Sequence, residues 1–206
     1  MSRLFGLVAF VCAMMCAPSA ARADFMRFTS NLSGAAEAPP NASPGTGFTI
    51  VDFDTTAHSM RVQVTFSGLT GTTTASHIHS ATAVAGTGTA GVATELPSFT
   101  GFPLGVTSGN YDQTFNTSLT AFYNPSFLTN NGGTASSAET AFFAGMTQGK
   151  AYLNIHTNVF PGGEIRGFLQ ASPVPAPPGL ILLGSGALTM AFSTGLRLVR
   201  RRTVTV

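Results

Sequence analysis

Met60-Arg61-Val62-Gln63-Val64-Thr65-Phe66 alternates apolar and polar residues without a break. A strand sends successive side chains to opposite faces, so Met60, Val62, Val64 and Phe66 form one apolar row while Arg61, Gln63 and Thr65 face solvent. The preceding Thr55-Thr56-Ala57-His58-Ser59 is a turn cluster, which makes residues 47–54 the hairpin partner and His58 a turn residue without chemistry. Further out, the same patterning predicts a first strand over 25–32, another over 75–79, and a last hairpin from 151–157 and 163–169. Short strands between clusters of Gly, Pro, Asn, Ser and Thr predict an all-β antiparallel domain, a sandwich or a barrel. One helix is expected at 137–146, where Phe142, Phe143 and Met146 have helical spacing and Gly149 follows. A second short turn is expected within 119–128. Residues 82–109, rich in Gly, Thr and Pro, are read as a long exposed connection.

The two ends read differently from the middle. Arg3, the apolar run 4–15 and the small-x-small site Ala21-Arg22-Ala23 predict a signal peptide, residues 1–23, cut after Ala23. Its apolar run is well short of the ~20 residues that cross a bilayer. Cys12 and Cys16 both lie in it, so the exported chain has neither disulfides nor thiolate chemistry. A lipoprotein site is disfavoured because Cys16 follows Met14-Met15. At the other end, residues 172–178 are a proline-rich linker, 179–202 an apolar run closed by Arg200-Arg201-Arg202, and 203–206 a short tail. Linker, membrane-length helix and basic stop predict a marginal anchor that serves for sorting.

The domain proper therefore spans 24–171. Residues 24–170 hold eight acids and four bases, net −4, although the whole chain is +2. The basic balance belongs to the ends, and the middle has no basic patch to engage phosphates, which excludes nucleic acid as a partner. Charged residues make up only 9% of the chain, far below the ~25% of ordinary soluble domains. A neutral, hydroxyl-rich surface suits an extracellular matrix protein better than a cytosolic enzyme.

Two family resemblances add to this reading. The C-terminal order, with Val174-Pro175-Ala176-Pro177 ahead of the apolar helix and Arg200, Arg201 and Arg202 behind it, resembles a PEP-CTERM sorting signal. That resemblance implies a bacterial protein held transiently at the inner membrane, processed by an exosortase-type enzyme and delivered to the cell surface or exopolysaccharide. Ala176 stands where the namesake tripeptide has glutamate. The middle resembles the CHRD (chordin-type) domain along nearly its whole length. The matching pieces are 32–40 (LSGAAEAPP), 66–71 (FSGLTG), 75–79 (ASHIH), 149–157 (GKAYLNIHT) and 161–167 (PGGEIRG). Their order is the specific part. The resemblance implies an immunoglobulin-like or superoxide-dismutase-like antiparallel β-sandwich, with no settled activity and no established cofactor.

The histidines offer a candidate site. His77 and His79 are two apart on a predicted strand and share a face. Pairing residues equidistant from the last turn sets Asn154 opposite Arg166 and His156 opposite Glu164. If the strands are neighbours, His77, His79 and His156 converge on one zinc or copper ion, with Glu164 as fourth ligand or orienter. Spacing alone does not establish convergence. The plainer reading is a hydrogen-bonded structural cluster, with Arg166 paired to Glu164 across the strands. Asp52 and Asp54 share a strand face that suits calcium, yet two acids by a turn are ordinarily solvated. No phosphate loop, nucleophile elbow or zinc-protease motif is present.

The expected function is thus a non-enzymatic β-domain that contacts polysaccharide or other envelope components. A metal-binding, redox-active domain is the alternative. Growth-factor signalling by analogy with chordin repeats is weaker, because fold-level analogy does not transmit function.

Overall fold

The alternating heptamer lies in a strand, β3 (Ser59–Ser67), and Met60, Val62, Val64 and Phe66 are all buried. The computed structural model describes residues 25–173. Around β3 the chain forms β1 (Phe25–Ser33), β2 (Thr46–Asp54), β4 (Thr73–His79), β5 (Gly109–Asn116), β6 (Tyr152–Thr157), β7 (Ile165–Phe168) and β8 (Gln170–Ser172). Every pairing is antiparallel, and hydrogen-bonded neighbours run β4-β6-β7-β1-β2-β3-β5. β1 meets β7 at Ser33 and Arg166, and meets β8 along Arg27, Phe28 and Thr29. Between those two contacts the chain drops Leu169, fully buried, into the core.

Register carries the sequence pattern across the sheet. Met26, Phe53, Met60 and Phe115 lie in one cross-strand row, and Phe28, Val51 and Val62 in the next. Opposite residues share a face, so these rows line the core. Each fully buried side chain of this size stabilises by roughly 1.5–3 kcal/mol. The outer face mixes polar residues with Phe25, Phe48 and Ile50, and its acids are already engaged. Asp52 receives two hydrogen bonds from Arg27, at 2.6 and 2.7 Å. Asp54 Oδ1 accepts from the backbone N–H of Thr56 and Ala57 and thereby closes the β2–β3 turn. Neither acid is free to serve calcium. His58 sits in that turn at φ 50, and its Nδ1 lies 2.8 Å from Glu139, which ties the turn to the helix described next.

Two helices, α1 (Pro125–Asn130) and α2 (Ala135–Thr147), separate β5 from β6. Thr134 caps α2 through a reciprocal pair with Ser137, satisfying the first-turn donors. Past its end Gly149 takes φ 66, a conformation that favours glycine. The inward side of α2 sets the Phe142 ring among Phe53, Phe122, Tyr123 and Phe127, at 6.0–6.5 Å between centroids.

One expectation is only partly met, and one strand was missed. Residues 82–109 are a largely exposed connection, as expected, but they also reach into the core. Ala93, Thr94, Phe99 and Phe102 are buried, Val92 bridges to His79, and the Ala93 N–H bonds the Ile78 carbonyl. The segment contributes wall to the core because its few apolar residues are spaced to reach β4. Strand β5 went unrecognised because it is an edge strand whose inward positions include Gln113 between Tyr111 and Phe115, so its alternation is incomplete.

Candidate metal centre

Strand β4 carries His77 and His79, and β6 carries His156. Register places Ala75 opposite His156, His77 opposite Asn154 and His79 opposite Tyr152. All these residues therefore lie on one face, opposite that of Ile78, Leu153 and Ile155, which are fully buried in the core. Ring centroids are 5.3 Å apart for His77 and His156, and 5.9 Å for each of the other two pairs.

The hydrogen bonds fix each tautomer. His77 Nε2 lies 2.5 Å from the Pro97 carbonyl, His79 Nδ1 2.9 Å from that of Ala90, and His156 Nδ1 2.9 Å from that of Pro161. A carbonyl has no proton to give, so each of those ring nitrogens must carry the N–H. The other nitrogen of each ring is then a bare lone pair: His77 Nδ1, His79 Nε2 and His156 Nε2. All three are buried and make no hydrogen bond. One ring nitrogen from each histidine falls within 4.8 Å of the others. Nitrogens around one zinc ion lie about 3.4 Å apart, so a pair at the 4.8 Å limit closes by about 1.4 Å on binding.

Burial keeps these imidazoles in the neutral, ligand-competent form. Desolvation pushes His77, His79 and His156 below their ordinary value, His79 to about 4. Backbone acceptors on one side and an ion on the other is how metal-ligating histidines are oriented. A hydrogen-bonded structural cluster would instead set the N–H of one ring on the lone pair of another.

Glu164 is not among them. Strand pairing of β6 with β7 ends at Ile155 and Ile165, after Gly163 at φ 131 has turned the chain. Its carboxylate accepts from Ser43 Oγ (2.6 Å), Thr70 N–H (2.5 Å), Gly71 N–H (3.1 Å) and Thr157 Oγ1 (2.7 Å). Thr157 alternates with His156, so Glu164 joins the opposite side of the strand. Burial works to raise its pKa, but these four donors outweigh that and hold it below the usual carboxylate value. Arg166 also departs from expectation, lying 3.7 Å from Glu37 and not pairing with Glu164. The signal for Glu164 was the neighbouring Gly162-Gly163, which breaks the strand before the acid. Ala21, Ala23, Val174, Pro175, Ala176, Pro177, Arg200, Arg201 and Arg202 lie outside the described residues.

Sequence reasoning missed Tyr152 and Arg166 as neighbours of the histidines. The Tyr152 ring stacks on His79 at 4.8 Å with 4° between planes, and the Arg166 guanidinium lies 4.7 Å above Tyr152. The Tyr152 hydroxyl reaches the Ala90 carbonyl at 3.4 Å, the same oxygen that His79 Nδ1–H uses. Strand alternation puts Tyr152, Asn154 and His156 on one face, which was the available clue.

The CHRD domain family model matches residues 28–169, more than half of the chain and all of the site. The chain belongs to the CHRD domain family. Neither a curated protein nor a solved structure matches it. In this CHRD domain the three histidines thus arise from two of the family-like stretches, ASHIH and GKAYLNIHT, brought side by side by the β4–β6 pairing.

Proposed function

We propose that this chain is an exported, cell-surface or matrix-associated protein whose CHRD domain binds a transition-metal ion through His77 Nδ1, His79 Nε2 and His156 Nε2. The carrying observation is the three buried lone pairs, each held in place by a carbonyl on the far side of its ring and none with a hydrogen-bond partner. Leaving such acceptors unmet costs about 1–3 kcal/mol each, and an ion satisfies all three at once. The role is binding and not turnover: the carboxylate that the sequence placed nearby, Glu164, is committed to Ser43, Thr70, Gly71 and Thr157. The curled sheet is read as an immunoglobulin-like sandwich, with β1-β2-β3-β5 as one leaf and β4-β6-β7 as the other. The leader 1–23 and the PEP-CTERM-like end supply the itinerary, through the inner membrane and an exosortase-type enzyme to the surface or exopolysaccharide. The sparse charge of the middle region supports that destination.

Elemental analysis of the purified full chain, after exposure to copper and zinc salts, tests the binding. Stoichiometric metal is expected, and its loss in His77→Ala at unchanged circular dichroism. A chain that takes up neither ion ends the reading. For sorting, deletion of residues 173–206 releases the protein from the envelope; a truncated chain still retained there would count against that itinerary.

A further inference from the structure

We infer that the three-histidine site prefers a monovalent soft cation, copper(I), over divalent zinc, and that Arg166 sets this preference from its place above Tyr152. The inference rests on the metal reading above. Its first support is the charge of the donor set. Three neutral imidazoles surround the site, and among the described residues no cysteine or carboxylate completes it. The bound ion therefore keeps its whole charge. His77 and His79 are 6% and 9% exposed, and the cost of drying an ion grows with the square of its charge, so a divalent ion costs about four times what a monovalent one does.

The surroundings act in the same direction. Arg166 is itself buried, 4% exposed, with its Nε–H on the Ala36 carbonyl at 2.5 Å and its Nη1–H on the Gly88 carbonyl at 3.1 Å. Its guanidinium stands over the ring that stacks on His79, so a fixed positive charge faces the ligand shell across one aromatic layer. The carboxylate beside it, Glu37, lies 3.7 Å from Arg166, and burial pushes its pKa up to about 7, so it offsets only part of the Arg166 charge. Glu164 is turned away. Among the described residues no carboxylate stands in the ligating group to offset a second positive charge on the ion. Zinc would take a fourth ligand, water or hydroxide, from solvent and needs hydroxide to lose part of its charge, whereas monovalent copper accepts three nitrogens alone. Tyr152 adds rigidity, because it holds His79 by its face through the stack and by its edge through the shared Ala90 carbonyl.

The test is a pair of competition titrations on the metal-free full chain. Copper(I) is titrated without oxygen against a chromophoric copper(I) chelator, and zinc(II) against a zinc-binding dye. Copper(I) is expected to bind at least about a hundredfold more tightly, from the difference of one unit charge in a weakly screened site. In Arg166→Gln, zinc affinity rises about tenfold while copper(I) affinity stays within roughly threefold, again a unit-charge effect. Arg166→Lys retains the wild-type preference. If Arg166→Gln fails to fold, the wild-type comparison decides alone. Zinc binding as tight as copper(I), or a glutamine variant that shifts both ions equally, overturns the inference and leaves the metal site standing. Failure of both ions to bind overturns the metal site as well.

Discussion

Glu164 and Glu37 are both buried glutamates, and their surroundings push them in opposite directions. Glu164 has four donors and is held below its ordinary value of 4.5, whereas burial pushes Glu37 up to about 7 despite the nearby Arg166. For Glu164 the folded form binds its proton less readily than the unfolded chain. The stability it contributes is present above about pH 4.5 and is lost as pH falls through the lower folded value. For Glu37 the sign reverses, and stability declines as pH rises from 4.5 to about 7. Glu164→Gln is therefore expected to flatten the acid limb of a melting-temperature profile. It also lowers stability at pH 7 by about 1.5–3 kcal/mol, the worth of charged hydrogen bonds. A variant with an unchanged acid limb contradicts this assignment. Apart from the Gly162-Gly163 signal, none of this was visible in the sequence, where Glu164 looked like a metal ligand because simple counting placed it opposite His156. The count was right for Asn154 and Arg166; what it lacked was the turn at Gly163, which moves the acid to the other side.

At the scale of elements, the strands were legible and the covering segments were not. Alternation located β1, β2, β3, β4, β6 and β7 because each has one face in the core and one toward polar surroundings. The helix at 135–147 was legible for the same reason, from Phe142, Phe143 and Met146. Its contribution is testable. Phe142 is fully buried among four aromatic rings, so Phe142→Ala is expected to cost about 3–5 kcal/mol in denaturant unfolding. A loss under about 1 kcal/mol would mean that α2 is not packed against β2 as described. Segment 82–109 defeated periodicity because its buried residues hold their places by single contacts to β4, without a repeat. It nonetheless supplies two of the three carbonyls that orient the histidines, from Pro97 and Ala90.

For the molecule as a whole, a ligand that binds only the folded state stabilises it by mass action. With free copper at about a hundred times the dissociation constant, the gain is about 2.7 kcal/mol. For a domain of this size that raises the melting temperature by roughly 5–10 °C. Removing the ion with a chelator should reverse the shift, and the His77→Ala variant should show none. A shift that persists in that variant would place the ion elsewhere.

The amino-acid sequence by itself determined the class of the fold, since side-chain alternation follows directly from strand geometry and requires no knowledge of neighbours. It also placed His77 and His79 on one face. Only the tertiary structure decided the rest, because strand order and loop path are set by contacts between distant residues. The β4–β6 pairing brought His156 to the other two, the turn at Gly163 removed Glu164, and carbonyls from the 82–109 chain and from Pro161 bound the far side of each ring, which leaves three unpaired nitrogens within 4.8 Å of one another.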